Sequence, residues 1–309
     1  MAAMRDALGE VLVSLGARDP KLVVVGADTT GSLKLSAFGT KYPDRFFNVG
    51  IAEQNMIGVS AGLALAGKTV IAGTYAVFMP GRAVDQIRNT IAYCKLNVKL
   101  IASHGGVSVG PDGGSHQALE DVATMRVIPN MRVIVPSDAI STKKLISAAC
   151  SSPGPYYIRI ARPSSEVIYS EESELSIGKT EVLRDGSDVA IVSNGLLTSR
   201  ALKAAETLKS QGVSAAVLDS HTVKPLDIET LVRFSRSVCG IVTAEEHNVI
   251  GGLGSAVAES LSESRPTRIR RVGVRDVFGE SGETEELMAK YGVTERDISE
   301  AAMKLVKER

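Results

Sequence analysis

The chain has 309 residues, 44% of them hydrophobic, and this length and composition predict about two domains, each with its own core. Lysine plus arginine and aspartate plus glutamate both number 35, so the formal net charge is zero and no basic field favours nucleic acid or a membrane surface as a partner. The three cysteines have no metal-binding spacing, and no apolar run has the length of a signal peptide core or a membrane span. We therefore expect a cytoplasmic protein.

The first half of the chain alternates apolar runs with amphipathic stretches. Short apolar runs predict strands at residues 22–25, 45–49, 69–72, 98–102, 132–135 and 156–160. Helical spacing predicts helices at residues 4–15, 57–66 and 83–93. Since continuous apolar strands alternate with helices, we expect a mainly parallel sheet that is covered on both faces.

The composition changes at residues 162–179, where Pro163, five serines and four glutamates follow no periodicity. We interpret this stretch as a linker. A second alternation follows, with strands predicted at 189–192, 214–218, 240–243 and 269–274, and helices at 197–211, 228–237, 255–262, 283–291 and 295–307. The sequence therefore predicts an α/β protein of two domains, each a mainly parallel sheet flanked by helices, with residues 1–165 and 181–309 as the domains and 166–180 as the linker.

Three short motifs match known signatures but lie in the wrong context. Residues 62–69 have the letters of a phosphate-binding loop, yet a helix precedes them and a strand follows, the reverse of the required order. Residues 106–110 match a nucleophile elbow, but Pro111 and two nearby glycines stand where a helix is needed. Residues 251–254 are not followed by the third glycine of a dinucleotide site. We expect neither a nucleotide site nor a nucleophilic serine here.

Two stretches place polar residues where predicted strands end. Glu53 lies in the first turn of a helix after residues 47–50, a position at which a carboxylate by itself can simply complement the helix dipole. The glycine-rich loop 103–117 follows strand 98–102 and carries His104, Asp112 and His116. Ligands of open α/β sheets bind beyond the carboxyl ends of strands, and glycines let a ligand approach the backbone closely. We expect this loop to bind a hydroxylated, anionic substrate.

Together these stretches resemble the transketolase family of thiamine-diphosphate enzymes. The run Phe-Asn-Val-Gly-Ile-Ala-Glu-Gln, which contains Glu53, is similar to the family's glutamate element. His104 and the run Val-Gly-Pro-Asp-Gly-Gly-Ser-His-Gln that ends at residue 117 are similar to its substrate loop. The resemblance continues at residues 118–121, 126–130 and 135–138, and in the second half at 222–227, 245–254 and 278–282. It thus covers nearly the whole chain.

The resemblance implies which residues meet the cofactor, thiamine diphosphate. Glu53 would lie against the aminopyrimidine ring and hold a proton on its ring nitrogen, which is acid and base catalysis by positioning. The other implied cofactor positions are Asp28 near the thiazolium ring, Tyr75 and Phe78 flanking the pyrimidine, and Arg82, Asp85 and Gln86 on the helix behind those rings. The cofactor itself carries the organic chemistry.

For the substrate, the resemblance implies a phosphate site and a hydroxyl site. His104 and Arg162 would bind the phosphate, and a guanidinium group suits phosphate oxygens because it donates two parallel hydrogen bonds. Asp112 and His116 would contact hydroxyl groups. Arg5 and Ser32 are implied as further substrate contacts. The implied catalytic residues are then Glu53, His104 and His116, with no metal ligand on this chain, while His221 and His247 are expected to be structural.

One absence in the sequence determines the implied assembly. The family binds Mg2+ and the cofactor's diphosphate through Gly-Asp-Gly and a distant asparagine, and no Gly-Asp-Gly occurs here. The resemblance therefore implies the pyrimidine-binding and C-terminal part of a split transketolase, with Mg2+ and the diphosphate held mainly by an N-terminal partner subunit. We expect an α2β2 heterotetramer that transfers a two-carbon ketol unit between sugar phosphates in the pentose phosphate pathway.

Three alternatives stay open. The β subunit of a 2-oxoacid dehydrogenase E1 shares this layout, but His104 together with Asp112 and His116 argues against it. A half of a deoxyxylulose-phosphate synthase is also compatible, although His104 suits a transketolase better. A non-catalytic interaction subunit could use the same fold as a scaffold, and the presence of Glu53, His104 and His116 weighs against that reading.

Overall fold

A computed structural model describes residues 1–308, which form two sheets flanked by helices and one short ribbon of two strands. The strands are β1 Ala2–Ala3, β2 Leu22–Gly26, β3 Phe46–Asn48, β4 Thr69–Tyr75, β5 Val98–Ser103, β6 Arg132–Ile134, β7 Tyr156–Ile160, β8 Ser164–Ser165, β9 Glu181–Arg184, β10 Val189–Ser193, β11 Ala215–Asp219, β12 Thr222–Lys224, β13 Ile241–Asn248 and β14 Ile269–Val274. The α-helices are α1 Met4–Arg18, α2 Ser36–Lys41, α3 Glu53–Leu65, α4 Phe78–Gln86, α5 Asp121–Val127, α6 Ala139–Ser151, α7 Leu197–Ser210, α8 Ile228–Ser235, α9 Leu253–Ser264, α10 Thr284–Lys290 and α11 Glu295–Lys307.

The first sheet has seven strands in the order β12, β6, β7, β5, β4, β2, β3, and all neighbours are parallel except β12 and β6. Every residue of β2, β5 and β7 is buried, which explains why these strands are mostly apolar along their length rather than alternating, with Lys99 and Arg159 as buried charged exceptions. Helices cover both faces of such a sheet. The predicted parallel α/β architecture of the first half is confirmed.

The second sheet has five strands in the order β14, β13, β10, β11, β9, with only β9 antiparallel to its neighbour. Its central strands β10 and β11 are buried along their whole length, and helices α7 and α11 pack on one another and on the sheet. The second half is therefore also a mainly parallel α/β unit, as the sequence predicts.

One segment of the second half joins the sheet of the first half. Strand β12 lies within the predicted second domain, yet it pairs antiparallel with β6 and forms the edge of the first sheet. The segment after β8 is also fixed, because Asp138 Oδ2 accepts hydrogen bonds from the backbone N–H groups of Ile168 and Tyr169 at 2.7 and 2.9 Å. Tyr169 Oη in turn donates to Asp219 Oδ2 at 2.7 Å. The predicted linker is thus anchored to both halves.

The structure corrects several element bounds. Helix α3 begins at Glu53, so Glu53 lies in its first turn as predicted, and the helix extends the amphipathic stretch 57–66 toward the N-terminus. The predicted helix 83–93 is α4 followed by a π-helical segment, Ile87–Ala92. The rejection of a phosphate loop at residues 62–69 is consistent with the backbone: α3 ends at Leu65, Gly67 has φ +81°, and β4 begins at Thr69. Within residues 1–308, no helix combines the length and apolar character needed to cross a bilayer.

Candidate active site

Four neighbouring strands of the first sheet end at the same edge. Tyr75, the last residue of β4, is in register with Ser103 of β5, and Ser103 is in register with Ile160 of β7. Strand β2 lies on the other side of β4. Because parallel strands share one carboxyl edge, residues that are far apart in sequence converge there, at the place where open α/β sheets bind ligands. The residues after these four strands include most of the predicted site.

Glu53 is nearly buried at the start of α3, with 4% of its surface exposed. Arg82 on α4 donates to Glu53 Oε1 at 2.8 Å, and the guanidinium carbon of Arg82 lies 3.8 Å from the centre of the Phe78 ring. The ion pair orients the carboxylate, while the ring holds the arginine in place. Glu53 therefore presents a fixed carboxylate beside an aromatic wall.

The aromatic wall connects this carboxylate to the glycine-rich loop. Tyr75 stacks on Phe78 with ring centres 5.7 Å apart and on His104 with ring centres 3.9 Å apart. His116 meets the rings of Phe78 and Tyr75 edge-on at 5.3 and 6.1 Å. The two histidines of the loop and the two aromatic residues after β4 thus form one cluster.

His104 sits in a constrained and electropositive place. Its backbone has φ +63°, a left-handed conformation that is uncommon outside glycine, and its side chain is 2% exposed. Its Nδ1 shares a hydrogen bond of 2.8 Å with Ser103 Oγ. Burial, followed by the positive charges of Arg5 and Arg162, lowers the pKa of His104 to about 3. The imidazole is therefore neutral at pH 7.

Two arginines and one carboxylate surround His104. Arg162 Nε lies 3.8 Å from Asp112 Oδ2 and Arg162 Nη1 donates to Val109 O at 3.1 Å. Arg5 Nη1 donates to the backbone oxygen of Ser32 at 2.9 Å, whereas its buried Nε has no hydrogen-bond partner among residues 1–308. Burial, together with the neighbouring Arg162, lowers the pKa of Arg5. Two cations with one nearby carboxylate and an unsatisfied donor favour an anionic ligand.

Three of the predicted residues stand apart from this chain of contacts. Asp28 follows β2 at the same sheet edge and has φ +63°. Its backbone N–H donates a hydrogen bond to Asn48 Oδ1 at 3.0 Å. Asp85 accepts from Asn89 on the exposed side of its helix, and the buried Oε1 of Gln86 has no partner among the described residues. Direct contacts join Glu53, Arg82, Phe78, Tyr75, His104 and His116 in one chain. Arg5 and Arg162 act on His104 through their charge, and they contact the backbone oxygen of Ser32 and the carboxylate of Asp112. Asp28, Asp85 and Gln86 make none of these contacts.

The second half of the chain also reaches the loop, which the sequence did not predict. Glu246 on β13 accepts hydrogen bonds from Ser108 N at 2.5 Å and from Ser108 Oγ at 3.1 Å, and Thr284 Oγ1 donates to Ser108 O at 3.1 Å. Gln117 Nε2 donates to Glu280 O at 2.9 Å. The resemblance at residues 245–247 and 278–282 indicated these segments, but neither motif shows by itself what it contacts.

A metal site is not formed by this part of the protein. Among residues 1–308 the structure contains no group of three histidine, cysteine, aspartate or glutamate side chains placed to hold a metal ion. That this chain contributes no metal ligand stays a prediction.

Comparison with known proteins matches both halves. The family model of the transketolase pyrimidine-binding domain matches residues 1–166, and that of the transketolase C-terminal domain matches residues 178–298. A protein of Methanocaldococcus jannaschii described as a transketolase C-terminal section is 45% identical over 307 residues, which is 98% of this chain and 96% of that one. A 6-deoxy-6-sulfo-D-fructose transketolase subunit of a Clostridium species is 42% identical over 97% of this chain and 93% of its own.

Solved structures give the same result. A split-gene transketolase described as an inactive β4 tetramer has a TM-score of 0.93 at 48% identity, with 99% of each chain covered. Transketolase from Leishmania mexicana has a TM-score of 0.83 at 26% identity, with 99% of this chain but only 46% of the Leishmania chain covered. From the two domain matches and these relatives, the chain belongs to the transketolase family and carries its pyrimidine-binding and C-terminal domains.

Proposed function

We propose that the protein is one subunit of a thiamine-diphosphate-dependent transketolase that transfers a two-carbon ketol unit between sugar phosphates. The observation that carries this proposal is the network of contacts from Glu53 through the aromatic wall to His104, together with the charges of Arg5 and Arg162. One end of this network suits a cationic heteroaromatic cofactor, and the other end suits a phosphate group.

The residues present fit one half of the cofactor. An aminopyrimidine ring needs an apolar wall and a carboxylate at its ring nitrogen, and Phe78, Tyr75 and the nearly buried Glu53 supply both. The diphosphate half needs a metal and its ligands, and residues 1–308 supply no such group. When bound, the cofactor would supply the carbanion chemistry that ketol transfer needs. In this proposal Glu53 holds a proton on the pyrimidine and Arg82 keeps the carboxylate oriented.

The other end of the network positions the substrate. Arg5 and Arg162 carry the positive charge for a phosphate group, and neutral His104 adds a hydrogen-bond donor rather than a charge. Asp112 and His116 lie next to these groups and would bind hydroxyl groups of the sugar. Holding the phosphate and the hydroxyl groups fixes the carbonyl carbon relative to the cofactor, which is catalysis by orientation.

The missing half is proposed to come from a partner chain that binds Mg2+ and the diphosphate. One support is the relative whose β chains alone form an inactive tetramer. A second support is the surface of α3 and of the turn before it: Ile51 in the turn and Leu65 on the helix are 76% and 73% exposed, and a Cβ added at Gly58 or Gly62 of α3 would meet no atom within 4 Å. Such a flat, partly apolar helix face suits close packing against another subunit. An α2β2 assembly follows if the β chains also pair.

The test mixes the purified chain with a candidate partner that contains Gly-Asp-Gly, thiamine diphosphate and Mg2+. Xylulose 5-phosphate and ribose 5-phosphate are supplied, and glyceraldehyde 3-phosphate is measured. We expect formation of this product only when both chains are present. A second mixture receives a 2-oxoacid instead. Its decarboxylation with transfer of the acyl group to lipoamide indicates the E1 alternative, and decarboxylation with transfer to an aldose phosphate indicates the deoxyxylulose-phosphate synthase alternative. A complex that assembles but catalyses none of these reactions indicates the non-catalytic alternative.

A matched variant tests the role of Glu53. Glu53→Gln keeps the shape and one hydrogen-bond acceptor for Arg82 but removes the proton-holding carboxylate, so we expect kcat to fall by about a hundredfold or more. The control is Glu259→Gln, because Glu259 pairs with Arg126 on a distant surface and has no contact with the site. Full activity of the Glu53→Gln complex would show that the site is assigned wrongly.

A further inference from the structure

The glycine-rich loop that carries His104, Asp112 and His116 is held from outside its own domain. All three polar backbone and side-chain groups of Ser108, in the middle of this loop, are bonded to the second half of the chain. Its N–H and its hydroxyl group donate to the two carboxylate oxygens of Glu246 at 2.5 and 3.1 Å. Its carbonyl oxygen accepts from Thr284 Oγ1 at 3.1 Å. The loop has no freedom to move at this point without breaking these bonds.

The fit of the loop against Glu246 is close. Gly106 has φ +84°, and a Cβ placed there would lie 2.2 Å from Glu246 Cδ. A Cβ on Gly105 would lie 2.0 Å from Arg159 Nε. Glycine is therefore required at both positions by contact, and at Gly106 by conformation as well. The residue next to this tight contact, on the side of β5, is His104.

Contacts with Arg159 hold Glu246 in place. Arg159 on β7 donates to the backbone oxygens of Glu246 at 2.7 Å and of Ala118 at 3.2 Å, and its Nε lies 3.1 Å from Asp121 Oδ2. Glu246 is 4% exposed and Arg159 is 5% exposed. Burial raises the pKa of Glu246, whereas Arg159 and the two Ser108 donors favour its charged form. A buried carboxylate with this many fixed partners holds its geometry rigidly.

We propose that Glu246 is a positioning residue, and that its carboxylate fixes the backbone of residues 105–112 and thereby the places of His104 and Asp112 in the substrate site. The C-terminal domain would in this way set the affinity for the substrate through the loop. The part of this proposal that concerns the substrate rests on the proposed transketolase function. The part that concerns the loop does not.

The neighbouring residue offers a matched control. Glu245 lies on the same strand, is 2% exposed, and also accepts two hydrogen bonds, from the backbone N–H groups of Leu253 at 2.7 Å and Gly254 at 2.8 Å. These bonds stay within the C-terminal domain, at the start of α9. Glu245→Gln and Glu246→Gln therefore remove comparable buried interactions, but only the second removes a bond to the loop.

The first measurement is amide hydrogen exchange of the free chain, which needs no activity. Loss of a buried hydrogen bond to a charged group corresponds to about a tenfold to hundredfold change in a local opening equilibrium. We expect Glu246→Gln to speed exchange at residues 105–112 by such a factor, and Glu245→Gln to leave this segment unchanged. Equal effects of both variants on the loop, or unchanged exchange in Glu246→Gln, would overturn the proposal. If Glu246→Gln does not fold, Ser108→Ala, which removes only the hydroxyl contact, takes its place with a severalfold effect expected.

The second measurement uses the complex reconstituted with its partner chain. We expect Glu246→Gln to raise KM for phosphorylated substrates about tenfold while kcat changes less, because the substrate contacts move and Glu53 does not. Glu245→Gln should lower the unfolding temperature without changing KM. A wild-type complex without ketol transfer would refute the proposed function yet leave the exchange result standing, whereas a Glu246→Gln complex with wild-type KM would refute the effect on the substrate.

Discussion

At the scale of single residues, the unusual feature of the site is a neutral histidine between two permanent cations. His104 is buried beneath Tyr75, and Arg5 and Arg162 add positive charge next to it, so the pKa of His104 is lowered to about 3. Burial and like charge act in the same direction for a base, since both penalise the protonated ring. The two arginines would balance the negative charge of a phosphate bound here, and the histidine would donate a directional hydrogen bond to it.

This arrangement predicts how His104 titrates. Because its pKa is lowered in the folded chain, the ring should stay neutral from pH 8 down to pH 5. The imidazole resonance of His104, one of four histidines in the chain, should therefore remain constant over this range in an NMR titration. Arg5→Gln removes one positive neighbour and should raise the pKa of His104 without restoring its ordinary value, because burial is the larger cause. A resonance that titrates near pH 6.5 in the wild type would contradict this picture.

At the scale of elements, α3 serves two purposes. Its first residue is Glu53, and its outer face carries Gly58 and Gly62, which leave open space where side chains would be. Glycine lowers helix stability by about 1 kcal/mol relative to alanine, so two exposed glycines one turn apart are a cost to the free chain. This cost is explained if a partner helix packs closely against α3 in the assembly.

A substitution on this face separates folding from assembly. We expect Gly62→Leu to leave the free chain as stable as the wild type or up to about 1 kcal/mol more stable, because leucine favours a helix and meets no neighbouring atom. In the complex the added side chain has no room, so the affinity for the partner chain should fall about tenfold or more. Urea unfolding measures the first quantity and titration calorimetry the second.

The matched control for Gly62→Leu is Thr207→Leu, which adds the same side chain at an exposed position of α7 in the C-terminal domain. It should change neither quantity appreciably. If Gly62→Leu binds the partner with wild-type affinity, the contact surface lies elsewhere and α3 has to be explained without a partner.

The elements also show what the sequence could and could not predict. The sequence predicts the buried strands because an apolar run such as Leu22–Gly26 is dictated by burial on both faces. Helix α6 was missed because its residues are small and polar, and its start depends on a capping box between Asp138 and Ser141. The anchoring of the predicted linker by the same Asp138 could not be read locally, since its partners lie about 30 residues further along the chain.

The same distinction applies to the site. The motif around Glu53 and the loop from His104 to His116 were identified because each lies within one short stretch. The bonds from Glu246 and Thr284 to Ser108 join residues that are 138 and 176 positions apart, and no local pattern encodes such a pair. Local motifs thus predict the groups proposed to touch the ligand, and Arg82 beside Glu53, but not the bonds from the second half of the chain that hold the loop.

At the scale of the whole molecule, the two domains are joined by more than a linker. The chain leaves the second sheet at Asp219, passes through His221 and enters the first sheet at Thr222. His221 is fully buried at this crossing, its backbone oxygen accepts from Val135 N at 2.7 Å, and its Nδ1 shares a hydrogen bond of 3.0 Å with Thr222 Oγ1. Its Nε2 is buried without a partner among the described residues. A proton added there would be a buried, unpaired charge.

The crossing therefore predicts a pH dependence of stability. Burial lowers the pKa of His221 to about 4, below the ordinary value of 6.5, so the unfolded chain binds a proton first as the pH falls. Stability linked to His221 is intact above pH 6.5 and is lost between pH 6.5 and 4, with a loss of about 2 kcal/mol already at pH 5.

His221→Asn keeps a polar group near Thr222 Oγ1 and cannot titrate. Urea unfolding at pH 7.5 and pH 5 should show the variant losing about 2 kcal/mol less than the wild type. The other three histidines are common to both proteins and cancel in this difference, so equal losses would show that the crossing tolerates a charged ring.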